Sequence, residues 1–300
     1  MIRISILVVS LLVLTSAGAR AVEYVPTSSY NEAVPTSSDI TNWDSGWAQP
    51  PTEPTGYTYT TGWNYIGRIN GASGTYVGYG WVLTAAHLNV TGGTFTLGGT
   101  NYTVLSDTVQ EVGNTDLTLF QITPVPPLPA LPLRSSDPVA DKSLVAMIGF
   151  GDGGDRLNET WGYNTVNLIN QSITPGGYSY VSNDFLTLTG TTNGITNNYQ
   201  VVFGDSGGGD FIYNSSTHVW ELAGINEVEG TATINGTDYN ISGFVQIDTY
   251  ASQILRIITP NDTPTIPVWG LAAFALLLLF IAARSLPRTT PADRIGPVSQ

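Results

Sequence analysis

Five prolines fall within nine positions, from Pro124 to Pro132. Proline has no N–H to give to a ladder, so this stretch cannot lie inside a sheet and must connect two separate folding units. The chain has a similar texture on both sides of it. Short β-branched and aromatic runs are broken by Gly, Asn and Asp, as in Tyr76–Leu83 and Leu117–Ile122. Runs of this kind at short intervals predict antiparallel strands that close into a barrel or sandwich. Helical periodicity is confined to Tyr250–Ile258, where Ile254, Leu255 and Ile258 can face a core.

Apolar segments occupy both ends of the 300 residues and are set apart from the folded part. In residues 1–21, Arg3 is followed by the apolar run Ile4–Leu14 and then by small residues, the order of a secretory leader. Cleavage is expected after Ala19 or Ala21. Residues 22–62 are poor in aliphatics and repeat Val-Pro-Thr-Ser-Ser at 25–29 and 34–38, which reads as a flexible prosegment or spacer. Residues 63–258 are the candidate domain, with a first β-unit at 63–123, a linker at 124–142 and a second unit at 143–258. A short linker, 259–266, leads to the uncharged run Pro267–Ala283, which is followed by Arg284 and Arg288. That pattern predicts a short membrane helix over 267–283 with residues 284–300 in the cytoplasm, leaving the rest of the chain exported and anchored by a single pass.

The chain has no cysteine, so the domain must hold together by burial alone, which about 200 residues can do. Between Val22 and Thr265 there are 22 acidic residues and five basic ones, a balance of −17. Such a surface repels phosphates, which argues against nucleic acid as a partner.

The chemistry lies in two motifs. Gly204-Asp205-Ser206-Gly207-Gly208 places a serine on a tight turn whose small neighbours let backbone N–H groups converge on one oxygen, and Thr84-Ala85-Ala86-His87 supplies a base. A serine hydroxyl needs such a base within reach, and the base needs a carboxylate to fix its tautomer. Only two histidines exist, and His218 sits in the turn-like Asn214–Thr217 context. For the carboxylate, Asp116 precedes the alternating Leu117–Phe120 run, whereas Asp107 lacks that setting. The order His, Asp, Ser and the lack of strand–helix alternation argue against a lipase-type hydrolase.

Taken together, these segments resemble the chymotrypsin-like (trypsin-fold) serine endopeptidases over about Trp63–Ile258. Gly80–His87 is similar to that family's histidine segment, Asp116–Leu119 to its aspartate segment and Gly204–Gly208 to its nucleophile segment. Ile148–Gly151, Trp220–Ile225 and Gly243–Ile247 add weaker matches. The resemblance implies an all-β fold of two six-stranded antiparallel barrels with a short C-terminal helix, the membrane helix being separate. It implies His87 as general base, Asp116 as its orienter, Ser206 as nucleophile and the N–H groups of Gly204 and Ser206 as oxyanion hole. Protein or peptide substrates follow, and neither a cofactor nor a metal is expected. Asp205 would be a structural support, normally paired with an amino terminus freed by activation.

Several departures qualify these implications. No Lys or Arg lies between Ala21 and Gly67, which excludes a trypsin-like activating cut there. Asp205 is then held by an end that another processing protease makes, or by an internal partner. Gln200 stands where trypsin-like members carry a pocket aspartate, so cleavage after Lys or Arg is not expected. In the pocket-wall segment Asn226–Gly230, Glu229 partly fills the pocket or attracts a basic group, or Glu227 and Glu229 both simply face solvent. The altered pocket also leaves open a catalytically silent, protein-binding module. The Gly151–Asp155 loop, which includes Asp152, is read as a solvated turn ahead of a calcium site. The absence of cysteine points to a bacterial source, and Ile266–Gly270 with the apolar run and arginines behind it loosely resembles PEP-CTERM sorting tails.

Overall fold

The computed structural model describes residues 22–24, 62–151, 159–189, 199–217, 219–234 and 236–259. Within them the chain forms two closed six-stranded antiparallel barrels and one helix. In chain order the strands are β1 (Glu23–Tyr24), β2 (Ile66–Ile69), β3 (Ala72–Gly78), β4 (Trp81–Thr84), β5 (Thr94–Leu97), β6 (Thr100–Glu111) and β7 (Thr118–Thr123). They continue with β8 (Leu144–Gly149), β9 (Thr160–Ile173), β10 (Ser182–Thr189), β11 (Tyr199–Gln200), β12 (Gly209–Asn214), β13 (Val219–Ile234) and β14 (Thr237–Gln246). The first barrel closes in the order β2-β3-β4-β7-β6-β5 and the second in the order β10-β14-β13-β12-β8-β9.

The proline-rich stretch separates the two barrels as its composition requires. β7 ends at Thr123, and the Thr123–Pro124 peptide is cis. Further along, Leu133 bridges to Leu222 and Arg134 pairs with Glu221 at 3.2 Å, so the linker is fastened to β13.

Alternation along the strands fills each interior. Phe95 and Phe120 meet edge-to-face at 6.2 Å inside the first barrel, alongside buried Ile69 and Val82, while Ile66, Leu83 and Leu119 are buried on the opposite face of the same strands. In the second barrel, Phe185 and Phe244 stack at 4.9 Å among Val145, Met147, Val166, Ile212 and Ala223. Each such aromatic pair adds a specific orientation to the burial of its area. β3 departs from alternation and is buried along its whole length, because its backbone also faces the turn that carries Ser206.

The helix α1 spans Ile247–Ile258, three residues earlier than its periodicity indicates. It buries Ile247, Tyr250, Ala251, Ile254 and Ile258, the i, i+3, i+4, i+7 pattern of an amphipathic helix with one further turn. Ile247, expected to end a strand over Gly243–Ile247, is instead the first residue of this helix.

One short strand was not anticipated. β1 pairs antiparallel with β11, Glu23 opposite Gln200 and Tyr24 opposite Tyr199, so the start of the 22–62 segment lies against the part of the chain that leads to Ser206. The leader at 1–21, the rest of that spacer through residue 61, His218 and the run at 267–283 lie outside the described residues. Among the described residues no helix is long and apolar enough to cross a membrane. Residues 260–300 lie outside the described residues.

Candidate active site

β4 delivers the histidine. Its buried run Trp81–Thr84 pairs with β7 and breaks at small Ala85 and Ala86, which allow a single tight turn, Ala86–Leu88, that carries His87. Asp116 lies two residues before β7, so the pairing of β4 with β7 brings it beside that turn. The Ala86 N–H donates to the Asp116 carbonyl at 3.2 Å. Asp116 is fully buried, and both carboxylate oxygens serve His87. The His87 backbone N–H donates to Oδ1 at 2.7 Å, and Nδ1 lies 2.5 Å from Oδ2. A carboxylate only accepts, so the Nδ1 proton is fixed on that side and Nε2 is left as the lone-pair nitrogen facing away. Asp107, the weaker candidate, is exposed on β6.

The Ser206 turn is held against the histidine strand by a network that crosses from one barrel to the other. Ser73 N–H donates to the Ser206 carbonyl at 2.9 Å, and Thr75 Oγ1 donates to the Gly207 carbonyl at 3.2 Å. Thr84, three residues before His87, donates through Oγ1 to the Ser73 carbonyl at 2.7 Å. Gly207 has φ +83°, and a Cβ there would collide with Thr84 Oγ1 and the Ser73 carbonyl. This is where the turn requires glycine: the close approach and the left-handed backbone each exclude a side chain. No hydrogen bond joins Ser206 to His87 among the described residues, a contact that in free enzymes often forms only when substrate closes the site.

The Gly204 and Ser206 N–H groups donate to no backbone carbonyl among the described residues. Gly204 has φ +94°, a conformation that turns successive N–H groups towards one point. Asp205 beside them is fully buried. Its Oδ2 accepts 2.9 Å hydrogen bonds from the N–H groups of Val202 and Val22. Burial pushes its carboxyl up to about 7, against the pull of those two donors.

Some residues that sequence reasoning passed over are also brought to the site. Ser182 Oγ accepts from the Asp116 N–H at 3.0 Å and donates to Glu227 Oε1 at 2.8 Å, which sets a second buried carboxyl behind Asp116. Burial drives Glu227 up to about 7, with the nearby charge of Asp116 adding to the rise. Tyr178 tilts over the His87 ring with centroids 5.6 Å apart and stacks on Tyr180 at 5.9 Å. Phe203, just before Gly204, is 70% exposed. No spacing rule ties positions 178, 182 or 227 to His87, since each comes from the second barrel and meets the site only on folding.

Of the two pocket candidates, Gln200 lies in β11, half-buried and opposite Glu23, and Glu229 is exposed on β13 opposite Ser242. Contrary to the alternative reading, Glu227 of that segment does not face solvent: it is buried, turned inward behind Ser182 and Asp116. Asp152 and Asp155 fall outside the described residues.

Residues 72–219 match the trypsin-like peptidase domain family. The match takes in the histidine turn, Asp116 and the Ser206 turn, and it ends before most of β13. Among solved structures, the chain is similar to the Rv3671c protease in its inactive form at 16% identity and TM-score 0.44, over 66% of this chain and 91% of that one. It is similar to the active form of the same M. tuberculosis protease at 17% identity and TM-score 0.45, over 64% and 74%. The HtrA-type protease AlgW with a decapeptide is similar at 18% identity and TM-score 0.45, over 62% of this chain and about half, 51%, of that one. No curated protein matches the chain.

Proposed function

We propose that the protein is a serine endopeptidase that cleaves peptide bonds through an acyl-enzyme, exported from the cell and tethered by the apolar run at 267–283. The observation that carries this reading is the His87–Asp116 arrangement on one barrel, to which the Ser206 turn of the other is bonded through Ser73, Thr75 and Thr84. His87 Nε2 takes the proton of Ser206 Oγ as the oxygen attacks the scissile carbonyl, and Asp116 steadies the imidazolium that forms. Negative charge moves to the carbonyl oxygen, where the Gly204 and Ser206 N–H groups receive it. His87 then protonates the leaving amine. Water, deprotonated by His87 in turn, hydrolyses the ester and restores Ser206.

Gln200 offers no fixed negative charge to a Lys or Arg side chain, so the preferred residue at the cut is uncharged. Exposed Tyr178 and Phe203 flank the site and favour apolar substrate side chains. The substrate is a protein or peptide, with neither cofactor nor metal in the chemistry.

Fluorophosphonate labelling of the full chain beside Ser206→Ala tests the reading, because only an activated serine reacts. Labelling that disappears in the variant supports it. A folded wild type that stays unlabelled turns the protein into a protease-fold binding module. A peptide-library profile showing a Lys or Arg preference would overturn the specificity.

A further inference from the structure

Asn226 of β13 grips the nucleophile turn through its backbone and through its side chain. Its N–H donates to the Gly208 carbonyl at 2.9 Å, and its carbonyl accepts from the Gly207 N–H at 3.0 Å. Almost any residue could make those two bonds. The side-chain contacts need an amide: Nδ2 donates to the Asp205 carbonyl at 3.1 Å and to the Ile148 carbonyl of β8 at 3.0 Å. Carbonyls only accept, so this place takes two protons from one nitrogen. Asn226 is buried, and its Oδ1 meets no donor among the described residues. A buried amide carries a desolvation cost that an apolar side chain would not, and here it is held for its donors alone. Gly208 leaves room for it, since a Cβ there would collide with Nδ2 and with the Ile148 carbonyl.

The Asp205 carbonyl and the Ser206 N–H belong to one planar trans peptide, so they point in opposite directions. Whatever fixes the carbonyl also aims the N–H. The carbonyl is taken by Asn226 Nδ2 and by the Gly208 N–H at 2.9 Å. The Ser206 N–H is thereby turned to the other side of the peptide, where it donates to no backbone carbonyl among the described residues. The following peptide is fixed from the first barrel, where the Ser73 N–H holds the Ser206 carbonyl at 2.9 Å. We propose that Asn226 is a positioning residue: its side-chain amide locks the Asp205–Ser206 peptide to β8 and so aims the Ser206 N–H at the oxygen of the substrate carbonyl. Such a donor lowers the barrier only when it is aimed in advance at the place where charge develops, because a peptide free to rock must first be ordered. The effect on rate rests on the serine peptidase reading; the clamp on the peptide does not.

Asn226→Leu in the full chain fills a similar space without a donor, and Asn226→Ala serves if the larger side chain prevents folding. On a peptide ester, kcat should fall by about 100-fold, as for a reacting group displaced by about 1 Å, with KM unchanged. A peptide aldehyde, whose adduct with Ser206 places an oxyanion at the same N–H, should bind more weakly by the same factor. The matching peptide alcohol forms no adduct and should bind as before. A lower Tm alone leaves these ratios in place, so a folded variant with wild-type kcat or wild-type aldehyde affinity overturns the inference. Amide hydrogen exchange tests the clamp without chemistry: the Gly207 and Gly208 N–H groups should exchange faster in the variant, relative to the rest of the second barrel. Unchanged exchange overturns the inference. Faster exchange in a protein whose wild type takes no fluorophosphonate keeps the clamp and removes the peptidase reading.

Discussion

The two barrels have the same strand count and closure but treat buried charge in opposite ways. Among the described residues the first barrel and its loops fully bury one carboxyl, Asp116, and both of its oxygens are occupied by His87. The second buries Asp184, Asp205, Asp210 and Glu227. Burial holds Asp184 and Asp210 well above the usual carboxylate range and Glu227 at about 7. The polar interior of the first barrel is therefore a fixed device that aims one imidazole. That of the second is titratable, and it answers to pH.

The sharpest way to break this contrast is to remove the chemistry and leave the scaffold. His87→Ala and Ser206→Ala should each lower kcat by about 10⁴–10⁶-fold, with Tm nearly unchanged in Ser206→Ala and lowered in His87→Ala, which takes the ring partner from the buried Asp116 carboxylate. Asp116→Asn should cost about 10⁴-fold in kcat, because an amide no longer selects the tautomer. A smaller kcat loss for Asp116→Asn, measured by steady-state kinetics on a peptide ester, would mean that the amide, still positioned by Ser182 and the His87 N–H, orients the ring nearly as well.

Core truncations come next and should treat the barrels alike. Phe95→Ala and Phe244→Ala each empty half of a buried aromatic pair and should cost about 3–5 kcal/mol by denaturant unfolding. Unequal losses would show that one barrel relaxes around the cavity. Gly207→Ala, at the seam between the barrels, should act on alignment: its Cβ would push the nucleophile turn off Thr84 and Ser73. A misplacement of about 1 Å lowers kcat/KM by about 100-fold. Wild-type kcat/KM in this variant would show that the seam tolerates movement.

The parts of this architecture that were legible from sequence are those with local causes. The proline run marks the seam between the barrels because proline is excluded from any ladder. His87 and Ser206 stand out because a base and a serine on small-residue turns are local devices. Asp116 was found from the strand that follows it, and that same pairing of β4 with β7 sets it against His87. What stayed hidden depends on closure in three dimensions. Ser182 and Glu227 reach Asp116 from separate strands of the second barrel, and Glu229 was a pocket candidate alongside the one that folding buries. Val22 was read as the start of a spacer because the Thr, Ser and Pro that follow it dominate the composition, while its own role needs one apolar side chain and one nitrogen in register with a distant aspartate.

The smallest effect is also the most specific to the second barrel. Glu227 faces Ser182, Asp184, Asp116, His87 and the Tyr250 hydroxyl. Its folded value of about 7 lies above the ordinary 4.5, so the folded protein binds this proton more tightly than the unfolded chain. The sign follows from linkage: the contribution is fully present below about pH 4.5 and is lost as the pH rises through about 7. Glu227→Gln keeps a neutral group of the same shape and removes the titration. The stability gap between Glu227→Gln and wild type should therefore shift in favour of the variant by about 2 kcal/mol on going from pH 5 to pH 8. Urea unfolding at the two values measures it. Activity should follow the same proton, because ionised Glu227 adds a negative charge behind Asp116 and favours imidazolium at His87. A gap that stays constant with pH would mean that Asp184 carries the shared proton in this interior, and Asp184→Asn would then show the shift instead.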